Sequence, residues 1–510
     1  MGLVRIPASQ ADMKRPRCCG AGLRSGVPCG IRTHGLLLRR QTLYPAELRG
    51  LNGWIIRYDK GAFVLRTKDS QFMDAVVKIE RMAYSPDAVG HLPNGKTVFV
   101  EGAAPGDTVD IKVTEDKSTY ARARVERILE ASPVRAAPTS QVDLMCGTAP
   151  WQHLQYDAQL EYKRANVVDA LIRTGKAAEE FAESVVESCL PSKREWGYRN
   201  KLEMGCAMDD KGLFTVGFHK EGSDELTGAD SSHLVHKQIE KVPKALCGAI
   251  RYAQGSRDLG IHRIGVRHSL VTGDLEVAIW TKPGPFPRAL FAKTLGSACK
   301  ASGIIRVLAE PGKARNVKGV EVLGGRGRWR ENLGKIEYAT SAPAFFQVNT
   351  AQASHMVDMV LEGLGDVRGA YVADLYAGGG TFGIPLAIAG AEVVAIESSR
   401  WSVRDLRANA DHNEVDIEVV GGDVAYELEM LGELDALVVD PPRAGLFEGV
   451  VDGIATAKPA RIAYVSCNPS TWARDVARFA KRGYKLVQAK PVDMFPQTYH
   501  VEIVSFFEPE

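Results

Sequence analysis

A few side chains at widely separated positions could do chemistry together. In "YVSCNPSTWARD", Tyr464 to Asp475, Cys467 stands between a run of strand character and a helix opened by Asn-Pro. Free cysteine is among the most often buried residue types, so a small packed thiol is the plain reading. A helix N-terminus, however, is expected to lower a thiol pKa and favour the thiolate, the form that attacks. Methylation of oxygen or nitrogen needs no such thiolate. Methylation of carbon 5 of a pyrimidine does, because that carbon is a poor nucleophile until sulfur adds to carbon 6 and makes it enolate-like. The adduct must afterwards lose its carbon 5 proton to a base. Near the end of the chain, "DMFPQTYHVEIV" offers Glu502 and His500 at a strand start.

A second constellation points to a nucleotide-like cofactor. "GGGTFG", Gly378 to Gly383, matches Gly-x-Gly-x-x-Gly, and Glu397 closes the next strand where it could hold a ribose hydroxyl pair. Taken alone, that match is compatible with NAD. Two features favour S-adenosylmethionine. Asp374 ends the preceding strand, where an acid could meet a cationic methionine moiety but would repel a pyrophosphate. "VVDPPR" places Asp440 and two stiff prolines at another strand end, with no role in hydride transfer.

These residues need a frame. From Gly369 onward, "AYVADLY", "EVVAIE", "DIEVVGGD", "LDALVVDPPR" and "RIAYVSCNP" alternate with helical runs, which predicts an α/β, doubly wound parallel sheet. Ligands of such sheets sit at the carboxyl ends of strands. Asp374, Glu397, Asp423, Asp440 and Cys467 all fall on that edge. Ahead of it, residues 73–134 show short strand runs separated by turn signals, the pattern of a small oligonucleotide-binding barrel. Residues 135–345 read as a mixed α+β domain, with a helical stripe through Leu160, Val167, Val168, Leu171 and Ile172. Two clusters there, Tyr198 with Arg199 and Lys201, and Phe218 with His219 and Lys220, have the composition of a single-stranded RNA platform. Ordinary strand residues with solvated charges fit them equally. The run from Arg306 to Lys335, including "GGRGRWREN", holds eight basic and three acidic residues and is a further candidate RNA contact or a solvated face.

Together, "FFQVNT", "DLYAGGGTFG", "VVDPPRAGL", "VSCNPSTWARD" and "DMFPQTYHVE" resemble the family of S-adenosylmethionine-dependent RNA uracil-5 methyltransferases. "VFVEGAAPGDTV" with "ASPVRAAP" resembles its N-terminal TRAM domain. The resemblance covers about 73–510 and implies a Rossmann-like class I methyltransferase domain over 346–510. It implies cofactor contacts by Gln347, Tyr376, Glu397 and Asp440, with Thr381 in a loop near the methionine end. It makes Cys467 the nucleophile and Glu502 the base, and leaves His500 as a packed histidine that orients its neighbours. The partner implied is RNA, with ribosomal RNA of the large subunit (23S) favoured over tRNA because of the attached barrel. Many members carry an iron–sulfur cluster on four cysteines, three of them just before a Gln-His-Leu motif. Here those positions are Ser140, Cys146 and Ala149, and "HLVHKQIEK" supplies no fourth, so the cluster is expected to be absent. Cytosine-5 methylation uses the same thiolate logic but usually a second nearby cysteine, which this chain lacks after Cys299. A non-catalytic RNA-binding protein keeping the fold is the alternative from another class.

Bulk properties set limits. The 510 residues carry a net charge of +2, which hides an uneven spread: thirteen Lys/Arg against four Asp/Glu in 1–72, and 51 against 58 in the remainder. No stretch is apolar for long enough to cross a membrane. Nine scattered cysteines with no Cys-x-x-Cys pair fit a reducing cytoplasm, and a monomer is expected. Residues 1–72 lack a sustained period. They are read as a doubtful or disordered extension, a mistaken start before Met73, with a basic arm touching nucleic acid as the alternative.

Overall fold

The computed structural model describes the chain from Asp74 onward, apart from residues 210, 229, 230 and 313–315. Before that it describes the backbone of three short strands, Arg5–Pro7, Trp54–Asp59 and Ala62–Thr67, paired antiparallel. The expectation for 1–72 otherwise lies outside the described residues. Strands Asp74–Met82, Ala88–His91, Thr97–Glu101, Thr108–Asp116 and Tyr120–Glu130 close into a barrel. Alternation does this: Val77 and Ile79, Val98 and Val100, and Val109 and Ile111 point inward, while the residues between them face outward. Trp151 and Leu154, just beyond the barrel, join the same core.

The helix Tyr156–Arg173 follows, with Val167, Val168 and Leu171 buried on one stripe, and packs against the helix Pro469–Ala480. Its Lys163 is wholly buried and pairs with the buried Asp493 at 2.5 Å while also donating to the Phe495 carbonyl at 3.1 Å. Breaking a buried pair strands a charge. Lys163→Met is therefore expected to cost about 3–5 kcal/mol of stability, read from the urea midpoint; a loss below about 1 kcal/mol would mean the pair behaves like a surface one. A six-stranded sheet then spans Lys201–Met208 to Gly319–Gly325. The helices Val242–Gln254 and Arg288–Cys299 supply side chains to its core.

The last third builds a seven-stranded sheet: β1 (Tyr371–Leu375), β2 (Glu392–Glu397), β3 (Ile417–Gly421), β4 (Ala436–Val439), β5 (Arg461–Ser466), β6 (Tyr484–Val492) and β7 (Glu502–Pro509). Its order is β3-β2-β1-β4-β5-β7-β6. The first five strands are parallel, and β7 runs antiparallel to both β5 and β6. Every residue of β4 is buried, as expected for a parallel strand covered on both faces. The strand order reverses between β1 and β4, so the ligand crevice must open at their carboxyl ends.

Candidate active site

The Gly-rich turn leaves β1 at that crevice. Gly380 has φ +94°, and a Cβ there would lie 2.5 Å from Leu406, so only glycine is tolerated. At Gly383 a Cβ would meet Asp374 at 2.9 Å, because the Gly383 N–H donates to Asp374 Oδ2 at 2.7 Å. Tyr376, the residue after β1, has φ +62°. A non-glycine residue in that region is strained and persists only where its surroundings hold it, which is common at functional sites. Glu397, ending β2, accepts from Gly378 N–H at 2.9 Å and from Ser399 N–H at 2.6 Å, tying the turn to the next helix. Thr381 is half-buried in the turn, and Gln347 is buried, its carbonyl accepting from Asn200 Nδ2 at 2.9 Å.

Three acids meet here. Burial pushes Asp374 up to about 8, with Asp440 and Glu397 adding to it, and burial pushes Asp440 up to about 7. Among the described residues no cation acts appreciably on either carboxyl, and Asp374 Oδ1 is buried without a hydrogen-bond partner. Buried polar groups are normally satisfied, so this orphan asks for a donor. A cationic ligand bearing an ammonium group and ribose hydroxyls fits such an acid-lined, glycine-floored crevice, and S-adenosylmethionine is that kind of molecule.

Cys467 follows β5, and Asn468 explains the motif around it. Its side chain caps the helix Pro469–Ala480 by accepting from Ser470 N–H at 3.0 Å, and its Nδ2 donates to the Arg443 carbonyl at 3.2 Å. Pro469 takes the first helical turn, where its missing N–H costs nothing. The cysteine loop and the Asp-Pro-Pro-Arg loop are thereby locked together. Asp475, fully buried, reinforces the lock by accepting from Leu446 N–H at 2.8 Å and Tyr464 O–H at 3.0 Å. The expected lowering of the thiol pKa is corrected. Burial first, then the Glu502 and Asp440 carboxylates, push Cys467 up to about 12, and Arg443 opposes them only in part. Glu502, the first residue of β7, is driven well above the usual carboxylate range by burial and then by Asp440. His500 is held down to about 4 by burial and then Arg443, so it is neutral at pH 7, packed among Tyr499, Phe495 and Tyr84.

Tyr84 and Asp475 escaped the sequence reading. Tyr84, from the barrel, donates its hydroxyl to the Cys467 carbonyl at 2.9 Å, and its ring meets Tyr499 edge-on at 5.5 Å. The Asp-Pro-Pro-Arg motif marked the loop that Asp475 fastens, but no local signal ties Tyr84 to the site. Elsewhere, of the two clusters read either as RNA platforms or as ordinary strand residues, the first loses its ring to the core, while the second keeps Phe218 half-buried and His219 exposed. Tyr198 is buried, its hydroxyl donating to the Pro496 carbonyl, so its ring cannot stack a base. Lys201 pairs with Glu203 at 2.8 Å, and Lys220 with Glu225 at 2.5 Å. At the three aligned cluster positions, Ser140 caps a short helix, Ala149 is buried, and the Cys146 thiol donates to the Val142 carbonyl at 2.9 Å.

Residues 76–125 match the TRAM domain, and residues 330–421 and 426–509 match the tRNA (uracil-5-)-methyltransferase family. The chain is 33% identical over 455 residues to an uncharacterised RNA methyltransferase of Gloeobacter violaceus, covering 86% of this chain and 97% of the relative. It is 32% identical over 438 residues to the 23S rRNA (uracil(1939)-C(5))-methyltransferase RlmD of Shewanella amazonensis, covering 85% and 95%. The crystal structure of Pyrococcus abyssi tRNA (uracil-54, C5)-methyltransferase with S-adenosyl-L-homocysteine superposes with a TM-score of 0.67 at 27% identity, covering 84% of this chain and 99% of that one. With full-length relatives above 30% identity and an acid-lined crevice at the switch point of the sheet, the chain belongs to the family of S-adenosylmethionine-dependent RNA uracil-5 methyltransferases that carry a TRAM barrel.

Proposed function

We propose that this chain methylates carbon 5 of a uridine in 23S ribosomal RNA through a transient bond from Cys467 to carbon 6 of the uracil, acting as a monomer in the cytoplasm. The observation that carries it is geometric: the pairing of Ser466 with Ile503 sets Cys467 opposite Glu502, and Asn468 ties the cysteine loop to the Arg443 carbonyl in the loop that holds Asp440. Bound S-adenosylmethionine supplies an electrophilic methyl group, and Gln347, Tyr376, Thr381, Glu397 and Asp440 are the residues we assign to holding it. The Cys467 proton passes to solvent as the sulfur electron pair bonds to carbon 6, and the electron pair of the carbon 5–carbon 6 double bond moves toward carbon 5 and the adjoining carbonyl of carbon 4. Once carbon 5 is methylated, Glu502 takes its remaining proton. Those electrons restore the double bond, and the sulfur leaves. Arg443, whose charge lowers the pKa of both Cys467 and Glu502, favours their ionised forms.

The Shewanella relative supports the ribosomal target; the Pyrococcus structure supports tRNA as the second reading. Mass mapping of 5-methyluridine in both RNAs from cells with and without the gene separates them. Loss at a ribosomal site is expected, loss in tRNA would shift the assignment, and two unchanged maps would remove it.

Tyr84 is assigned to holding the cysteine loop. Tyr84→Phe keeps the ring and removes one hydrogen bond, worth roughly 0.5–1.5 kcal/mol. Single-turnover methylation is expected to slow about three- to tenfold with KM for S-adenosylmethionine unchanged. An unaltered rate would reduce Tyr84 to packing.

A further inference from the structure

Away from the crevice, the basic run of the sequence analysis meets a helix. Arg328, in the turn before the strand Trp329–Leu333, faces Arg400, Arg404 and Arg407 on the helix Arg400–His412. With Ser398, Gly421 and Asp411 they line an open groove of about 640 Å³ holding four guanidinium groups and one carboxylate. Three of the arginines are tethered through a single nitrogen: Arg328 to the buried Asp405 at 3.2 Å, Arg400 to the Val317 carbonyl at 2.6 Å, and Arg407 to the Val419 carbonyl at 3.0 Å. Each keeps further N–H donors for an outside partner. Arg404 is exposed and, among the described residues, its side chain makes no hydrogen bond or ion pair.

The geometry points to a binding groove for the phosphodiester backbone of the RNA, beside but separate from the pocket that takes the reacting base; it rests on RNA being the substrate. Arg400, Arg404 and Arg407 lie on successive turns of one helix face, spread at roughly 5.4 Å per turn. That spacing suits a string of anions better than one compact anion. Guanidinium groups held by one hydrogen bond are already oriented, and arginine's fork matches phosphate oxygens. Ser398 and Gly421 stand at the carboxyl ends of β2 and β3, the edge that also carries Asp440 and Cys467, so a strand leaving the pocket can run into the groove. Phosphate contacts position RNA without reading its bases.

The test is fluorescence anisotropy with a fluorescein-labelled RNA hairpin at several salt concentrations, comparing wild type with Arg404→Glu and with R404E/R407E. The double variant is expected to bind roughly tenfold or more weakly, with a salt dependence of log K shallower by about 1–2, and Arg404→Glu to show about half that slope change. The loss should be equal for a hairpin whose loop lacks uridine, while calorimetric binding of S-adenosylhomocysteine stays unchanged. Arg404→Glu breaks no intramolecular bond, so it reports on the groove even if the double variant folds poorly. Variants that match a wild type binding RNA overturn the groove alone. A wild type that binds no RNA at low salt overturns the groove and the RNA substrate together.

Discussion

Replacing Cys467 by alanine is expected to leave S-adenosylmethionine binding intact and to slow methylation of RNA by roughly 10⁴-fold or more. The wild-type enzyme should carry the signature of a thiol held neutral. With Cys467 pushed up to about 12 by burial and by Glu502 and Asp440, the attacking thiolate is a minor species at pH 7. Its fraction grows tenfold for each pH unit below the pKa, so kcat/KM should rise with a log slope of about 1 through neutral and mildly alkaline pH. Stopped assays of labelled methyl incorporation across pH would show this slope in wild type and its loss in the alanine variant. A Cys467→Ala rate within tenfold of wild type would eliminate the covalent route.

Glu502→Gln is expected to do something different: allow the sulfur–carbon bond to form and then strand it. The amide cannot take the carbon 5 proton, so turnover should fall about 10²–10⁴-fold, the usual contribution of a positioned base. A complex of protein and RNA surviving denaturation should accumulate. The fold should tolerate the change, because Glu502 is held well above the ordinary carboxylate range and its neutral form already resembles an amide. Electrophoresis under denaturing conditions, followed by mass analysis of the cross-linked peptide around Cys467, reads the result. Normal turnover without trapped complex would move the base elsewhere.

Much of the frame was legible because its signals are local. Period-two alternation marked the barrel strands, and continuous apolar runs marked β1, β2, β4 and β5, so the acids and Cys467 could be put on one edge before any coordinates. The helix Val242–Gln254 carried the same kind of signal: Val242, Leu246, Ala249, Ile250 and Ala253 are buried at helical spacing. In the mixed α+β reading of residues 135–345 only the stripe from Leu160 to Ile172 stands out as helical, because the segments around Val242–Gln254 are β. Tyr198 shows the opposite failure. Alternation and composition make an aromatic beside two cations resemble an RNA platform, but which side of the chain is covered depends on the segment around Pro496, 298 residues later.

By itself, the sequence determined the order of strands and helices from Gly369 onward, the glycine turn, and which acids and which cysteine end up at strand termini, since each depends on residues within one or two turns of chain. Tertiary structure alone decided the protonation of that cysteine, the arrival of Tyr84 at its carbonyl from 383 residues away, and the union of Arg328 with Arg404 in one groove. Burial and Coulomb interactions depend on distance in space, and chain separation says nothing about that until the fold has closed.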